Sequence, residues 1–244
     1  MRIAILADIH SNLEALEAVL RHAEGPGPLD RVWCLGDLVG YGAEPGACIA
    51  RLREYEHACV LGNHDLAALG RMGVEEFNPV AAQAALWTRQ QLSEDDRAYL
   101  QSLPLVTKEG DFTLVHGSLR WPQWEYLLSS EAAAEQFRRQ ETPCSLVGHS
   151  HVPFVALEAA AGPPLLAPLS DGDVVEIGER RLILNPGGVG QPRDGDPRAS
   201  YALYETGERT VTLHRVEYDV ASAQRKIRDA GLPSYLADRL AHGQ

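Results

Sequence analysis

Five short polar motifs interrupt this sequence, and each follows an apolar run with the length and composition of a buried strand. Five of the nine histidines lie in these motifs. Since the carboxyl ends of neighbouring strands in an open α/β sheet meet at one edge, such motifs are expected to collect in one place. The motifs are ADIHSN with Asp8 and His10, LGDLVGYG with Asp37, LGNHD with Asn63 and His64, LVHGS with His116, and VGHSH with His149 and His151.

The first sixty residues alternate between strand and helix patterns. Strands are predicted over Arg2–Ala7, Arg31–Leu35 and Ala58–Leu61, with helices over Asn12–Ala23 and Pro45–Tyr55. Ser11 or Asn12 is a suitable N-cap for the first helix. This β-α-β-α-β series predicts parallel strands joined by crossover helices.

The remainder of the chain changes in character after residue 151. Before that point, helices are predicted from Asn78-Pro79, from Ser93 and over Ser130–Arg139, and strands over Phe112–Val115 and Ser145–Val147. After it, short β runs separated by glycine and proline turns predict antiparallel pairing, followed by two helices. No linker divides the chain, so one domain over residues 1–244 is expected. The β runs are Val152–Leu157, Val174–Ile177, Arg181–Leu184, Ala199–Glu205 and Thr210–Val216, and the helices are Val220–Ala230 and Pro233–Ala241.

Bulk composition excludes several classes of function. A net charge of −12 argues against non-specific binding to nucleic acid, because no broad cationic face is available. No apolar stretch approaches the length of a membrane span, and no signal peptide is visible. The four cysteines have no C-x-x-C spacing and are expected to be buried and reduced, which predicts a cytoplasmic protein.

The residue types in the motifs are those of a transition-metal site. Residues i and i+2 of a strand lie on one side, so Asp8 and His10 can approach one ion. Mixed nitrogen and oxygen donors favour Mn, Fe, Co, Ni or Zn over Ca or Mg. Two such ions about 3.5–4 Å apart can clamp phosphoryl oxygens and hold a hydroxide nucleophile between them. Asp37 is suited to bridge both ions, and His64 is suited to protonate a leaving oxygen.

Taken in order, D-x-H, G-D, G-N-H-D, H-G and G-H-x-H resemble the motifs of the calcineurin-like metallophosphoesterase family. The segment NPGGVGQPRDGDPRASYALYE (Asn185–Glu205) also resembles the small bacterial and archaeal diadenosine-tetraphosphatase-like phosphodiesterase branch. The resemblance implies a four-layer α/β/β/α sandwich of two mixed sheets flanked by helices. It implies two divalent ions, manganese preferred, with His64 as the catalytic residue that is not a ligand. It places Asp8, His10 and His151 on one ion, Asn63, His116 and His149 on the other, and Asp37 on both.

One departure from the family pattern bears on the substrate. The family's protein phosphatases carry Asp-Arg where this chain has Gly40 and Tyr41. The arginine that grips a phosphomonoester is therefore missing, as is the carboxylate that orients the catalytic histidine. A phosphodiesterase acting on nucleotides or dinucleoside polyphosphates is expected. The alternatives are a phosphomonoesterase, including a protein Ser/Thr phosphatase, and a non-catalytic protein-binding scaffold.

Three further residues are candidates for contact with substrate. Asn12 is expected either to cap the first helix or to touch substrate. Arg120, in a segment with Trp121, Trp124 and Tyr126, belongs either to a surface loop or to a substrate wall in which a tryptophan stacks on a base. Arg193, in the glycine- and proline-rich segment, is a candidate phosphate contact. The expected partner is a small phosphorylated substrate, with the oligomeric state left open.

Overall fold

The computed structural model describes residues 1–244 as two six-stranded β-sheets packed face to face, with helices on their outer sides. This confirms the fold that the family resemblance implied. The strands are β1 (Arg2–Leu6), β2 (Arg31–Cys34), β3 (His57–Cys59), β4 (Val106–Glu109), β5 (Phe112–Val115), β6 (Cys144–Leu146), β7 (Phe154–Leu157), β8 (Leu165–Pro168), β9 (Val174–Glu176), β10 (Leu182–Asn185), β11 (Ala199–Glu205) and β12 (Thr210–Val216). The helices are α1 (Leu13–Glu24), α2 (Pro45–Leu52), α3 (Asn63–Ala68), α4 (Pro79–Gln91), α5 (Glu94–Ser102), α6 (Ser130–Arg139), α7 (Val220–Asp229) and α8 (Ser234–Asp238), followed by a 3₁₀ turn over Arg239–His242.

Both sheets combine parallel and antiparallel pairs. The first sheet has the order β3-β2-β1-β11-β12-β9, in which β1, β2 and β3 are parallel and β11 joins β1 antiparallel. The second has the order β4-β5-β6-β10-β7-β8, in which β5, β6 and β10 are parallel. The five motifs follow the carboxyl ends of five strands, β1, β2, β3, β5 and β6.

Alternation of side chains along β1 shows why the sheets stack in layers. Ile3 and Ile5 point into the core between the sheets, where they join Trp33, Phe112 and residues of β10 and β11. Ala4 and Leu6 point the other way, into a second core beneath α1 and α2. A strand buried on both faces is apolar, as β1 is after Arg2. On the outer side of the second sheet, α6 packs through Ala133 and Phe137.

Most predicted elements are present within one to three residues of their expected ends, and Asn12 is the N-cap of α1. Three elements were not predicted. The strand β4 carries Lys108 and Glu109 and lies at a sheet edge, while β8 lies at the opposite edge and ends in Pro168. Edge strands are short and tolerate charge and proline, so their sequences carry a weak strand pattern. The six-residue α3 begins inside the LGNHD motif.

The four cysteines are buried and free, as expected. None of the helices is both long enough and apolar enough to cross a membrane.

Candidate metal centre

Polar side chains from both sheets meet where the parallel strands end. Asp8 and His10 follow β1, Asp37 follows β2, and Asn63 begins α3 just beyond β3. From the second sheet, His116 follows β5, and His149 and His151 follow β6. Each of these side chains, and that of His64, is at most 3% exposed. So many buried polar groups need partners or ligands, because their desolvation is otherwise unfavourable.

The side chains form two groups of donors that share one carboxylate. One group is Asp8, His10, Asp37 and His151, and the other is Asp37, His116 and His149, with donor atoms within 4.8 Å of one another in each. Asp37 Oδ2 lies 3.6 Å from His10 Nε2 and 3.4 Å from His116 Nε2. Asn63 joins the second group, since its Oδ1 is 3.2 Å from His116 Nε2.

Backbone carbonyls fix which ring nitrogen of each histidine faces inward. The Nδ1 atoms of His10, His116 and His151 donate to the carbonyls of Val39 at 3.2 Å, Leu35 at 2.8 Å and Gln191 at 2.5 Å. His149 is turned the other way, with Nε2 donating to the Trp124 carbonyl at 3.1 Å. A carbonyl only accepts, so each outer nitrogen carries a proton, and the inner one presents a lone pair whenever the ring is neutral.

The inward nitrogens lie too close together to be stable without a positive charge between them. His10 Nε2 and His151 Nε2 are 3.3 Å apart, and burial holds the pKa of both rings well below the usual range. Two unprotonated nitrogens at that distance repel each other. A cation held by these two rings together with Asp8 and Asp37 would remove the repulsion. The donor set therefore fits a divalent ion of the borderline type that takes imidazole and carboxylate ligands.

Without bound ions, both groups hold protons near neutral pH, on His116 in the second group and partly on Asp8 in the first. Burial disfavours the His116 imidazolium, but the charges of Asp37 and Asp8 outweigh burial and raise the pKa of His116 to about 9. Burial likewise opposes ionisation of Asp37, yet neighbouring histidine charges hold its pKa well below its usual range. Burial raises the pKa of Asp8 to about 7, opposed by His116 and reinforced by Asp37. Binding of divalent ions must therefore displace protons from this site.

The backbone around these donors is strained. Eight non-glycine residues have positive φ, and only one of them, Arg209, lies away from this site. Such residues cost free energy of order 1 kcal/mol or more each, and they cluster where a fold over-determines a functional geometry. Gly62 shows how tight the packing is, because a Cβ there would lie 2.0 Å from Asp37 Oδ1. The seven residues at the site are Asp8, His10, Ser11, Asp37, Tyr41, His149 and His151.

His64 lies beside the two donor groups but belongs to neither. Its ring is enclosed by those of Tyr41, His10 and Phe77, at centroid distances of 4.3, 4.9 and 4.9 Å. Nδ1 is buried without a hydrogen-bond partner. Burial lowers the pKa of His64 to about 4, so the ring is neutral at pH 7 in the absence of ions and substrate.

The sequence left the orienting partner of His64 open, and the structure shows that it is not Asp65. The Asp65 carboxylate accepts hydrogen bonds from Gly62 N at 2.9 Å and Val39 N at 3.0 Å. Aromatic packing and Gly40 position the ring instead. A Cβ on Gly40, which has φ +95°, would lie 2.8 Å from His64 Nδ1. The missing carboxylate of the protein-phosphatase motif thus has no replacement at this position.

A cleft of about 100 Å³ opens onto the donor groups and is walled by aromatic rings. The ring of Tyr126 stacks on that of His149 with centroids 4.0 Å apart, and Phe77 meets Trp124 at 5.2 Å. Trp124 and Tyr126 belong to the segment that sequence analysis singled out. Phe77 was not anticipated, because it stands in a turn before α4 with no pattern to mark it.

The three candidate substrate contacts have different surroundings. Arg193 lines the cleft. Asn12 does not, because its Oδ1 caps α1 at Ala15 N and its Nδ2 donates to the Gly190 carbonyl. That geometry favours the capping alternative for Asn12 over contact with substrate.

Arg120 is not among the residues that line the cleft. It is ion-paired with Glu125, and its guanidinium lies 4.6 Å from the centroid of the exposed Trp121 ring. Sequence order placed Arg120 near His116, but the turn after β5 directs its side chain outward. The surface-loop alternative therefore describes Arg120 and Trp121, and the substrate-wall alternative remains for Trp124 and Tyr126.

Comparison with known proteins agrees with this geometry. The calcineurin-like phosphoesterase superfamily domain matches residues 1–209. An uncharacterized protein of Methanocaldococcus jannaschii is 38% identical over 99% of this chain and 98% of its own length. The crystal structure of a metallophosphoesterase from Sphaerobacter thermophilus superposes with a TM-score of 0.90 at 48% identity, covering 100% of this chain and 99% of the other.

A more distant similarity is to nucleotide-cleaving enzymes. A symmetrical bis(5′-nucleosyl)-tetraphosphatase of Glaesserella parasuis is 29% identical over 136 residues, which is 54% of this chain and 49% of that protein. The match thus spans about half the length of either protein.

Proposed function

The chain belongs to the calcineurin-like phosphoesterase superfamily and is a metal-dependent phosphoester hydrolase, and within that class we propose a phosphodiesterase that acts on nucleotides or dinucleoside polyphosphates. The observation that carries this proposal is the pair of donor groups sharing Asp37 at the floor of an aromatic cleft. A carboxylate common to both donor groups would serve two ions, and a pair of ions is suited to displacement at a phosphoryl group.

We assign the ligands as two sets around Asp37. Asp8, His10 and His151 would hold one ion, and Asn63, His116 and His149 the other, with manganese the preferred metal. When bound, such ions polarise phosphoryl oxygens and activate water at neutral pH. The chain's own contribution is to fix, through the four carbonyl contacts, which nitrogen of each ring faces inward, and to exclude bulk water from the floor of the cleft.

His64 is the proposed proton donor to the leaving oxygen. It lines the cleft and contributes to neither donor group. Its pKa of about 4 belongs to a site without substrate, where burial disfavours the charged ring. A bound phosphate ester brings negative charge next to the ring, and that charge raises the pKa. Tyr41 and Phe77 hold the His64 ring in place, so the ring would deliver its proton at one defined position.

The surroundings of the cleft favour a nucleotide over a phosphoprotein. Trp124, Tyr126 and Phe77 offer aromatic faces on which a base can stack. This chain has Gly40 and Tyr41 where the protein phosphatases have an Asp-Arg pair. The similarity to tetraphosphatases points the same way. Four buried free cysteines fit a reducing compartment, and we propose the cytoplasm.

A substrate panel on metal-reconstituted protein tests the proposal. Hydrolysis of diesters or phosphoanhydrides is expected to exceed that of phosphopeptides by at least about tenfold in kcat/KM, on the order of 1.4 kcal/mol of discrimination. The panel comprises bis-p-nitrophenyl phosphate, dinucleoside polyphosphates, 2′,3′-cyclic nucleotides and phosphopeptides under matched metal conditions. A preference for phosphopeptides would refute the assignment and favour the phosphomonoesterase alternative. No turnover of any ester would favour the scaffold.

Gly40→Ala is expected to lower kcat by about 10²-fold, because the added methyl group displaces the His64 ring, and misplacement by about 1 Å has that effect. Metal content, measured by mass spectrometry of the purified protein, should stay unchanged. Gly162→Ala is the matched control: Gly162 also has positive φ, +87°, but nothing lies within 4 Å of its Cβ position. Equal losses in both variants would show that backbone strain, rather than displacement of His64, is responsible.

A further inference from the structure

Arg193 is the one lysine or arginine among the residues that line the cleft, and its guanidinium has unused donors. Nη2 lies 3.2 Å from Gln191 Oε1 and 3.5 Å from Tyr41 Oη, while Nε is buried without a hydrogen-bond partner. Asp37 and Glu76 are the carboxylates that line the same cleft, and neither forms an ion pair with Arg193. A half-buried guanidinium in this state is unfavourable unless an anionic ligand completes it.

The Tyr41 hydroxyl carries a proton that no protein group accepts. Its only hydrogen-bonding neighbour is the Arg193 guanidinium, which has N–H donors and no lone pair. Tyr41 is 6% exposed and lines the cleft, so its hydroxyl is largely removed from bulk water. A buried O–H group without an acceptor costs free energy. An oxyanion placed between the two side chains would satisfy both of them.

Backbone contacts fix both side chains beside the first donor group. Arg193 N donates to the His151 carbonyl at 3.3 Å, and His151 Nδ1 donates to the Gln191 carbonyl at 2.5 Å. The loop that bears the arginine is thus bonded to a donor histidine on two sides. Tyr41, with φ +59°, packs edge-on against His10 at a centroid distance of 4.6 Å. An anion that accepts from both donors therefore lies next to the proposed ion site.

We propose that the Tyr41 hydroxyl and the Arg193 guanidinium together clamp a phosphoryl oxygen of the substrate. The inference rests on the proposed function and deepens it, because it names the side chains that bind the phosphoryl group in addition to the ions. A phosphoryl group held both by the ions and by the clamp has one orientation relative to His64, whose ring centroid lies 4.3 Å from that of Tyr41.

A double-mutant cycle on the binding of inorganic phosphate tests the clamp, with calorimetry on manganese-loaded protein freed of excess metal. Tyr41→Phe, which keeps the ring packing, is expected to weaken binding by about threefold to tenfold, and Arg193→Gln by about tenfold to a hundredfold. The double variant should bind at least about threefold more tightly than the product of the two losses predicts, because donors to one oxygen are coupled. Arg193→Lys, which keeps the charge, should retain part of the affinity.

Two matched variants control for the loss of a hydroxyl group and of a guanidinium. Tyr218→Phe removes another buried hydroxyl that has no partner. Arg180→Gln removes an exposed guanidinium that bonds only the Glu158 carbonyl. Neither Tyr218 nor Arg180 lines the cleft, so both variants should keep the wild-type affinity for phosphate.

Three results would overturn the clamp: unchanged affinity in Tyr41→Phe or Arg193→Gln, purely multiplicative losses in the double variant, or loss of manganese from either single variant. Hydrolysis of bis-p-nitrophenyl phosphate on the same preparations separates this inference from the proposed function. If the wild-type protein hydrolyses the ester but the cycle shows no coupling, only the clamp fails. If the wild-type protein hydrolyses no ester, the proposed function fails, and phosphate binding still decides whether the two side chains hold an anion.

Discussion

Replacing Asp37 by asparagine is expected to lower kcat/KM more than any other single change among the ligands, beyond the roughly 10²–10⁴-fold that a positioned proton donor contributes. Asp37 is the one residue common to both donor groups, and its Oδ1 also accepts a hydrogen bond from His64 N at 2.9 Å. An amide can keep that contact, but it then turns its NH₂ group toward the ions. Both sites are weakened at once. Metal analysis of the purified variant should give fewer than two ions per chain.

Asp65→Asn is the matched control for this change. Asp65 is equally buried, but its carboxylate accepts only from backbone N–H groups. Its replacement should lower the melting temperature and leave two ions bound. Chelation of the wild-type protein should abolish hydrolysis, and added metal should restore it. Full activity in thoroughly metal-free protein would contradict the metal-dependent mechanism.

His64→Ala is expected to lower kcat by roughly 10²–10⁴-fold while two ions remain bound. The ring lies outside both donor groups, so its loss should remove a proton donor without removing a ligand. The defect should be largest for esters with alkoxide leaving groups of high pKa, which need the proton most. It should shrink for a nitrophenolate leaving group, which departs as a stable anion. Steady-state kinetics across a series of aryl and alkyl esters measures this dependence.

Two outcomes would contradict the role given to His64. An equal loss for every leaving group would show that the ring positions substrate rather than donating a proton. Loss of a metal ion in the variant would place His64 in the coordination shell. Phe77→Leu offers a comparison, because Phe77 packs edge-on against the His64 ring at 4.9 Å and carries no proton. A smaller loss, without leaving-group dependence, is expected there.

Sequence reasoning located the donor residues because each stands at a strand end, and strand ends converge in this class of fold. Asp8, Asp37 and His149 could be placed together from that rule alone. The same reasoning could not find the four carbonyls that orient the histidines. Those contacts depend on loops, such as the one bearing Gln191, that lie forty residues from the ring they touch. No local sequence pattern indicates a contact between residues that are so far apart along the chain.

The direction in which individual side chains point also could not be predicted from the sequence. Arg120 and Tyr126 lie six residues apart in one segment, yet one pairs with Glu125 outside the cleft and the other stacks on His149 within it. Asn12 was open between capping and substrate contact, and a single hydrogen bond to Ala15 N favours capping.

The separation between the donors along the chain has a consequence for how the protein is made. His10 and His151 face each other across 141 residues, and β1 gains its antiparallel neighbour only from β11 (Ala199–Glu205). A ribosome that adds about 5–20 residues per second must therefore complete most of the chain before the first motif can meet the last. Closing loops of that length slows folding. Metal capture is consequently a late event in biogenesis, and the newly made chain passes through an interval in which its histidines are unmetallated and its first strand lacks a partner on one side.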